Sequence, residues 1–469
     1  MINRLSFVTE LQKWKNSTRR KPLLVLGARQ VGKTFIIKYF AENNFQKLHY
    51  VNFEEEKQFK TLFESSLTPQ RILEDLSILL HTEIDVDQDL VFFDEIQSCP
   101  SALTSLKYFR EKMPKLHLVA AGSLLGVMLP QASFPVGQVD ILHLYPLSFE
   151  EFLAAIGEKR LLDRLQQFEF SPRDQKATQI KHNNETLSAV IHEALWKFFK
   201  VYLFVGGLPE VVALFASDPK TTFENINHVV KLQSTILNTY LADIAKHSGE
   251  VKSMHIERVL QNIPTQLGKN LDGSVGRFMF KDVVPGVSSY SGLVGAIDWL
   301  EKAGLLSKVK ICSQATPPLT AWTKESRFKL FIFDCGILRS LAALAPESIL
   351  KDDYGSYRGF VAENFVARTI QASLANTSMA TSLYGWNEST AEIEFLFDSQ
   401  GDIIPIEVKS GSRTQAKSLK VFCERYQPKF SILLSAQVSS FDSTKKIHRI
   451  PLYAAERMMH GLMGSISSN

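Results

Sequence analysis

The stretch "KPLLVLGARQVGKTFIIKYF", Lys21 to Phe40, limits what this chain can fold into more than any other. Leu23 to Leu26 reads as a short buried strand. Gly27 to Thr34 fits the spacing GxxxxGK[ST], and a helical pattern opens at Phe35. That spacing has meaning only where a strand delivers the loop and a helix follows it, and both are here. The backbone N–H groups of Gly27, Ala28, Arg29, Gln30, Val31 and Gly32, running into Lys33, Thr34 and Phe35, are expected to form an anion nest. The start of the helix adds partial positive charge behind them. Gly27 and Gly32 let the backbone turn close to a phosphate, Lys33 reaches the outer phosphates, and Thr34 takes Mg²⁺.

Three further strands belong to the same sheet. "DLVFFDEIQ" is an apolar run ending in Asp94 and Glu95. Carboxylates at the C-terminal end of a buried parallel strand sit where ligands bind in open α/β sheets. Asp94 is expected in the Mg²⁺ shell, and Glu95 is expected to orient the attacking water. "LHLVAAGS" ends in Ser123, which reads equally as a γ-phosphate sensor or as a turn residue. "VDILHLYPLSFEEFL" adds a strand, a loop and a helix start. Residues 1–155 are therefore expected to form a doubly wound α/β domain that binds ATP with Mg²⁺.

Together "GARQVGKT", "VFFDEIQ", "AAGSLL" and "YPLSFEEFL" resemble the AAA-type ATPase domain of a large prokaryotic family, in which a conserved domain of unknown function follows. "LFVGGLPEVV", "TYLADIAKH", "FKLFIFDCGIL", "GFVAENFV" and "IPIEVKSG" continue the resemblance in family order along nearly the whole chain. It implies ATP hydrolysis. It also implies that an oligomer can complete the site with a neighbour's arginine; Arg110 is one of several candidates. The family usually carries a basic residue after "FPVG", where this chain has Gln138.

At 469 residues the chain is too long for one core. Its four cysteines lie far apart, which argues against a zinc site or a disulfide framework and suits a reducing cytoplasm. No signal pattern opens it, and no run approaches the roughly 20 apolar residues of a membrane span. A net charge of +4 permits nucleic-acid contact without demanding it. Residues 156–250 read as a helical lid. Its Gly206-Gly207-Leu208-Pro209 turn resembles the one in signal-transducing AAA-like ATPases, which implies Pro209 against adenine; the alternative is a plain inter-helix loop. Residues 251–345 read as a winged-helix-like domain, with "KAGLLSKVKI" entering a wing. Lys302 and Lys308 are its nearest basic residues, so a spacer or protein contact competes with DNA binding. Asp334, in "FIFDCGIL", reads as structural.

Residues 346–469 carry a second candidate centre. "AEIEFLF" and "DIIPIEVKSG" fold, by their period of two, into a hairpin centred on Gln400-Gly401. Ile393, Phe395 and Phe397 then face Val408, Ile406 and Ile404. The other face puts Glu392 opposite Lys409 and Glu394 opposite Glu407. Two like charges across a hairpin ask for solvent, a lysine or a divalent cation between them. With Glu363 on the preceding helix, the segment resembles the PD-(D/E)XK nuclease core, which implies a second Mg²⁺ or Mn²⁺ held by Glu363, Glu394 and Glu407 with Lys409 assisting. Glu394 stands where that motif usually has aspartate. The longer arm matters, because about 1 Å of misplacement can cost on the order of 100-fold in rate. Three readings stay open: an ATP-driven switch acting on DNA or a protein partner, an ATP-gated metal-dependent nuclease, and a non-catalytic ATP-bound regulator.

Overall fold

The computed structural model describes residues 4–123, 135, 137–171, 183, 186–269, 276–350, 357–377, 379, 382–388, 391–411 and 416–467. The chain forms two compact units. One comprises Asn3–Tyr145 with Lys302–Leu305; the other comprises Pro146–Glu301 and Leu306–Asn469.

The N-terminal unit is built on five strands: β1 (Leu23–Leu26), β2 (Leu48–Asn52), β3 (Leu90–Asp94), β4 (His117–Gly122) and β5 (Asp140–His143). Their order is β2-β3-β4-β1-β5, and every ladder is parallel. Parallel neighbours need crossovers. Helices Lys33–Asn44, Pro69–Leu79 and Pro100–Lys112 supply those between β1 and β4. Helices over a parallel sheet cover both of its faces, which is why β3 and β4 are buried at every residue and read as unbroken apolar runs. Phe53, Phe63, Phe93 and Phe109 meet edge to face in the core, with ring centroids 5.5–6.2 Å apart. The order brings the exits of β1, β3 and β4 to one rim. Gln138 lies at the entry of β5, on the opposite rim, where Lys21 Nζ also donates to the Gly137 carbonyl. Gln138 is therefore remote from the glycine loop. Leu124, Leu125, Phe134 and Val136 lie outside the described residues.

The second unit opens with helices. Phe149–Ala155 starts in a capping box in which Ser148 and Glu151 satisfy each other's backbone N–H groups. Ala189–Val205, Pro209–Ser217, Phe223–Ser248 and Glu250–Lys269 follow. Then come eight strands: β6 (Leu306–Cys312), β7 (Thr323–Ile332), β8 (Leu383–Glu388), β9 (Ala391–Ser399), β10 (Asp402–Val408), β11 (Ser431–Ser435), β12 (Ser440–Asp442) and β13 (Ile447–Pro451). They form one sheet, ordered β12-β13-β11-β10-β9-β8-β6-β7. This differs from the expected separate winged-helix-like domain. β6 and β7 do pair as an antiparallel ribbon, but β6 also pairs in parallel with β8, so the ribbon is the end of the larger sheet. Val309, Ile311, Leu330, Phe331 and Ile332 are all buried, whereas a free wing would leave one face wet. Helix Tyr357–Ala375 packs against β6, β7, β8 and β10. No described helix is long and apolar enough to cross a membrane.

Candidate nucleotide site and the C-terminal carboxylate cluster

The glycine loop leaves β1 through Gly27, at φ 154°, and enters the helix through Gly32, at φ 93°. A Cβ on Gly27 would lie 2.3 Å from the Leu144 carbonyl oxygen, so the loop passes too close to the exit of β5 for any side chain. Lys33 is buried, and its ammonium donates to the carbonyls of Gly27 (2.9 Å) and Ala28 (2.8 Å). Burial pulls it down to about 8, against the attraction of Glu95 and Asp94. A buried cation inside a ring of loop backbone suits an anionic ligand, because phosphate oxygens would replace those carbonyls as stronger partners.

The Thr34 hydroxyl donates to Asp94 Oδ2 at 2.7 Å. These two residues come from different elements, and together they present oxygens of the hard kind that Mg²⁺ accepts. Glu95 follows in a left-handed conformation, φ 50°, and its carboxylate accepts from the Gln97 amide. Burial raises the Glu95 carboxyl, with Gln97 and Lys33 opposing. Arg29 Nε lies 3.4 Å from the Ser123 hydroxyl, which places Ser123 at the loop. Phe35, in the first turn of helix Lys33–Asn44, is exposed. The glycine loop, Lys33, Thr34, Asp94, Glu95 and Ser123 thus share one rim.

Three neighbours of this site carried no sequence signal. The Tyr50 hydroxyl donates to Asp94 Oδ2 at 3.1 Å, and the Asn52 amide donates to Tyr50. Buried Arg4 donates to the Val31 carbonyl at 2.9 Å and to Tyr145, propping the loop from behind. Gln97 could have been found as the residue two beyond Glu95. Tyr50 needed the register that sets Asn52 beside Asp94.

Pro209 is the first residue of helix Pro209–Ser217, in the second unit. Asp334 holds the turn before it. Its buried carboxylate accepts from Gly207 N at 2.7 Å and caps helix Cys335–Leu341 through Ile337 N at 3.0 Å.

The C-terminal hairpin has the register expected from its alternation, with Phe395 opposite Ile406 and Phe397 opposite Ile404. Glu394 and Glu407 are not on a solvated face; they are 8% and 0% exposed. Glu394 accepts from Val408 N at 3.0 Å, and burial raises its carboxyl despite Lys409. Lys409 Nζ lies 2.9 Å from Glu407 and 3.7 Å from Glu394. The expected Glu392–Lys409 pair is replaced. Glu392 pairs with Lys329 of β7, which also lies 3.2 Å from Glu363. The reason is topological: β7 delivers a lysine that the hairpin alone could not reveal. Among the described residues no three acidic, histidine or cysteine side chains converge as metal ligands.

The rim of the N-terminal unit, with its lysine-bearing glycine loop and its Thr–Asp pair, defines a P-loop nucleotide-binding domain of the AAA type. Residues 19–153 match the family model described as an AAA domain. Residues 197–348 and 358–454 match two models each described as a domain of unknown function, DUF8612 and DUF4143. Among solved structures, a Walker-type ATPase of Pyrococcus abyssi is 14% identical with a TM-score of 0.42, covering 73% of this chain and 96% of that one. The Aeropyrum pernix Orc1 protein in complex with DNA is 13% identical with a TM-score of 0.27, covering 75% and 93%. The Thermotoga maritima RuvB Holliday junction branch migration motor is 14% identical with a TM-score of 0.27, covering 65% and 89%. Likeness at this level carries no functional argument. No curated protein matches the chain.

Proposed function

We propose that the protein is a Mg²⁺-dependent ATPase whose nucleotide state acts as a switch on its C-terminal domain, which engages DNA or a protein partner. The observation that carries the ATPase reading is the 2.7 Å bond from Thr34 to Asp94 beside the buried Lys33. This geometry supports Thr34 and Asp94 as the residues that would hold Mg²⁺ and Lys33 as the one that would meet phosphate. Mg²⁺ held by Thr34 and Asp94 would supply positive charge to offset the charge that develops on the phosphates. The loop N–H groups and Lys33 would fix the phosphates, Thr34 and Asp94 would hold the metal, and Glu95 would orient water and take its proton. Ser123 would stand near the γ-phosphate.

The test is ATP turnover beside ATP-induced thermal stabilisation. Lys33→Ala is expected to lose both. Glu95→Gln is expected to keep the stabilisation while turnover falls about 10²–10⁴-fold, the usual contribution of a general base. Hydrolysis that survives Lys33→Ala sinks the reading. Stabilisation without turnover in the wild type would leave a regulator that holds ATP as a structural ligand.

A second reading, an ATP-gated nuclease, draws support from Glu407, whose buried carboxylate oxygens lack well-aligned hydrogen-bond donors even with Lys409 close by. It rests on the resemblance of the C-terminal segment to the PD-(D/E)XK core. It requires wild-type protein to nick supercoiled plasmid with Mg²⁺ or Mn²⁺ and Lys409→Ala not to do so.

A further inference from the structure

The resemblance implies a divalent cation among Glu363, Glu394 and Glu407, and the donor set present does not fit one. Hard cations such as Mg²⁺ and Mn²⁺ need several oxygens free to approach to about 2.0–2.6 Å. Here each of these carboxylates already lies against an ammonium group, although the Glu407 oxygens lack well-aligned donors. Glu363 Oε2 lies 3.2 Å from Lys329 Nζ, and Glu392 Oε1 contacts the same ammonium. Glu394 gives Oε2 to the Val408 N–H and Oε1 to the neighbourhood of Lys409. Glu407 Oε1 is 2.9 Å from Lys409. Lys329 is itself only 4% exposed. Burying a charged lysine this deeply is costly, and leaving it unpaired would be strongly destabilising; here carboxylates replace its water. It therefore stays charged, and Glu363, Glu392 and Glu394 all hold it so.

We infer that Lys329 is the resident cation of this cluster, filling the place a divalent metal would otherwise take, so that the C-terminal domain engages its partner without metal chemistry. Four carboxylates are met by two ammonium groups, Lys329 from β7 and Lys409 from the residue after β10. An ammonium in the midst of the oxygens repels a second cation. It also supplies three directed N–H donors that a fold can use at any metal concentration. The inference goes beyond the ATPase reading and does not depend on it.

The experiment is a Mn²⁺ titration of full-length, nucleotide-free protein, read by the electron paramagnetic resonance signal of free Mn²⁺. Wild type, Glu407→Gln, Lys329→Met and the double variant Lys329→Met/Glu407→Gln are compared, with folding checked by circular dichroism. Wild type and Glu407→Gln are expected to bind equal amounts of Mn²⁺. Lys329→Met is expected to gain a Mn²⁺ site that the double variant lacks. Mn²⁺ bound by wild type and lost in Glu407→Gln overturns the inference. So does a folded Lys329→Met protein that gains nothing. If Lys329→Met does not fold, the comparison of wild type with Glu407→Gln decides alone, and Glu363→Gln repeats it from the cluster's more exposed side.

Discussion

Asp94 shows how much one carboxylate can organise. It takes the Thr34 and Tyr50 hydroxyls on Oδ2, while Oδ1 accepts from the backbone of Glu95. Tyr50 touches no residue of the glycine loop itself among its hydrogen bonds, yet it sets the orientation of the carboxylate that would hold Mg²⁺. Outer-shell partners of metal ligands typically matter by about 10–100-fold. Tyr50→Phe is accordingly expected to weaken Mg²⁺-dependent ATP binding by about that factor while leaving the fold intact, measured by titrating Mg²⁺ at fixed ATP. Asp94 was legible because it ends an apolar run. Tyr50 was not, because "LHYVNF" reads as an ordinary alternating strand until its neighbour is known. Arg4 and Lys329 were hidden for the same reason: each acts on partners far along the chain, at Val31 and Tyr145 for one and at Glu363 and Glu392 for the other.

At the level of elements, the turn before Pro209 is held more tightly than a free inter-helix loop. A Cβ on Gly207 would lie 2.3 Å from the Leu147 carbonyl oxygen, and one on Gly206 would lie 2.4 Å from Asp334 Oδ1. Gly207→Ala pushes against backbone, so it is expected to cost at least about 1–3 kcal/mol. Asp334→Ala strands two buried N–H donors, for a loss on the order of 2–4 kcal/mol. Urea unfolding measures both. The turn and the "FDCGIL" segment were each legible as structural punctuation, but not as partners, since 127 residues separate Gly207 from Asp334. The C-terminal hairpin was legible in its register, because a period of two fixes which residues share a face. Its charge pairing was not, because a third strand supplied the competing lysine. The apparent wing failed as a separate unit for a related reason: antiparallel pairing is visible in a local pattern, and the parallel partner β8 is not.

Over the molecule as a whole, buried imidazoles give stability a pH dependence. His448 is enclosed by Phe170, Phe430 and Phe441, its Nε2 lacks a hydrogen-bond partner, and burial pulls it down to about 4. His117, edge-on to Trp14 and Phe45, is pulled down to about 4 as well, mainly by burial. A depressed imidazole binds fewer protons in the folded state than in the unfolded one. Its contribution is therefore present above the ordinary value of 6.5 and is lost as pH falls toward 4. The buried Glu394 and Glu456 carboxyls, both raised by burial, act in the opposite sense. Comparison of variants separates the two. Between about pH 7 and pH 5 the melting temperature of His448→Phe is expected to fall less than that of wild type.

The shared sheet also decides where this protein can be cut. A fragment spanning only residues 358–454 would begin after β6 and β7. It would bare the edge of β8 that β6 now covers, and it would leave Glu363 and Glu392 without their lysine. Uncovered strand edges recruit other chains. Such a fragment is expected to elute as aggregate, whereas one beginning before Leu306 keeps its strand order whole. The portable piece of this protein is larger than the boundaries of its family models.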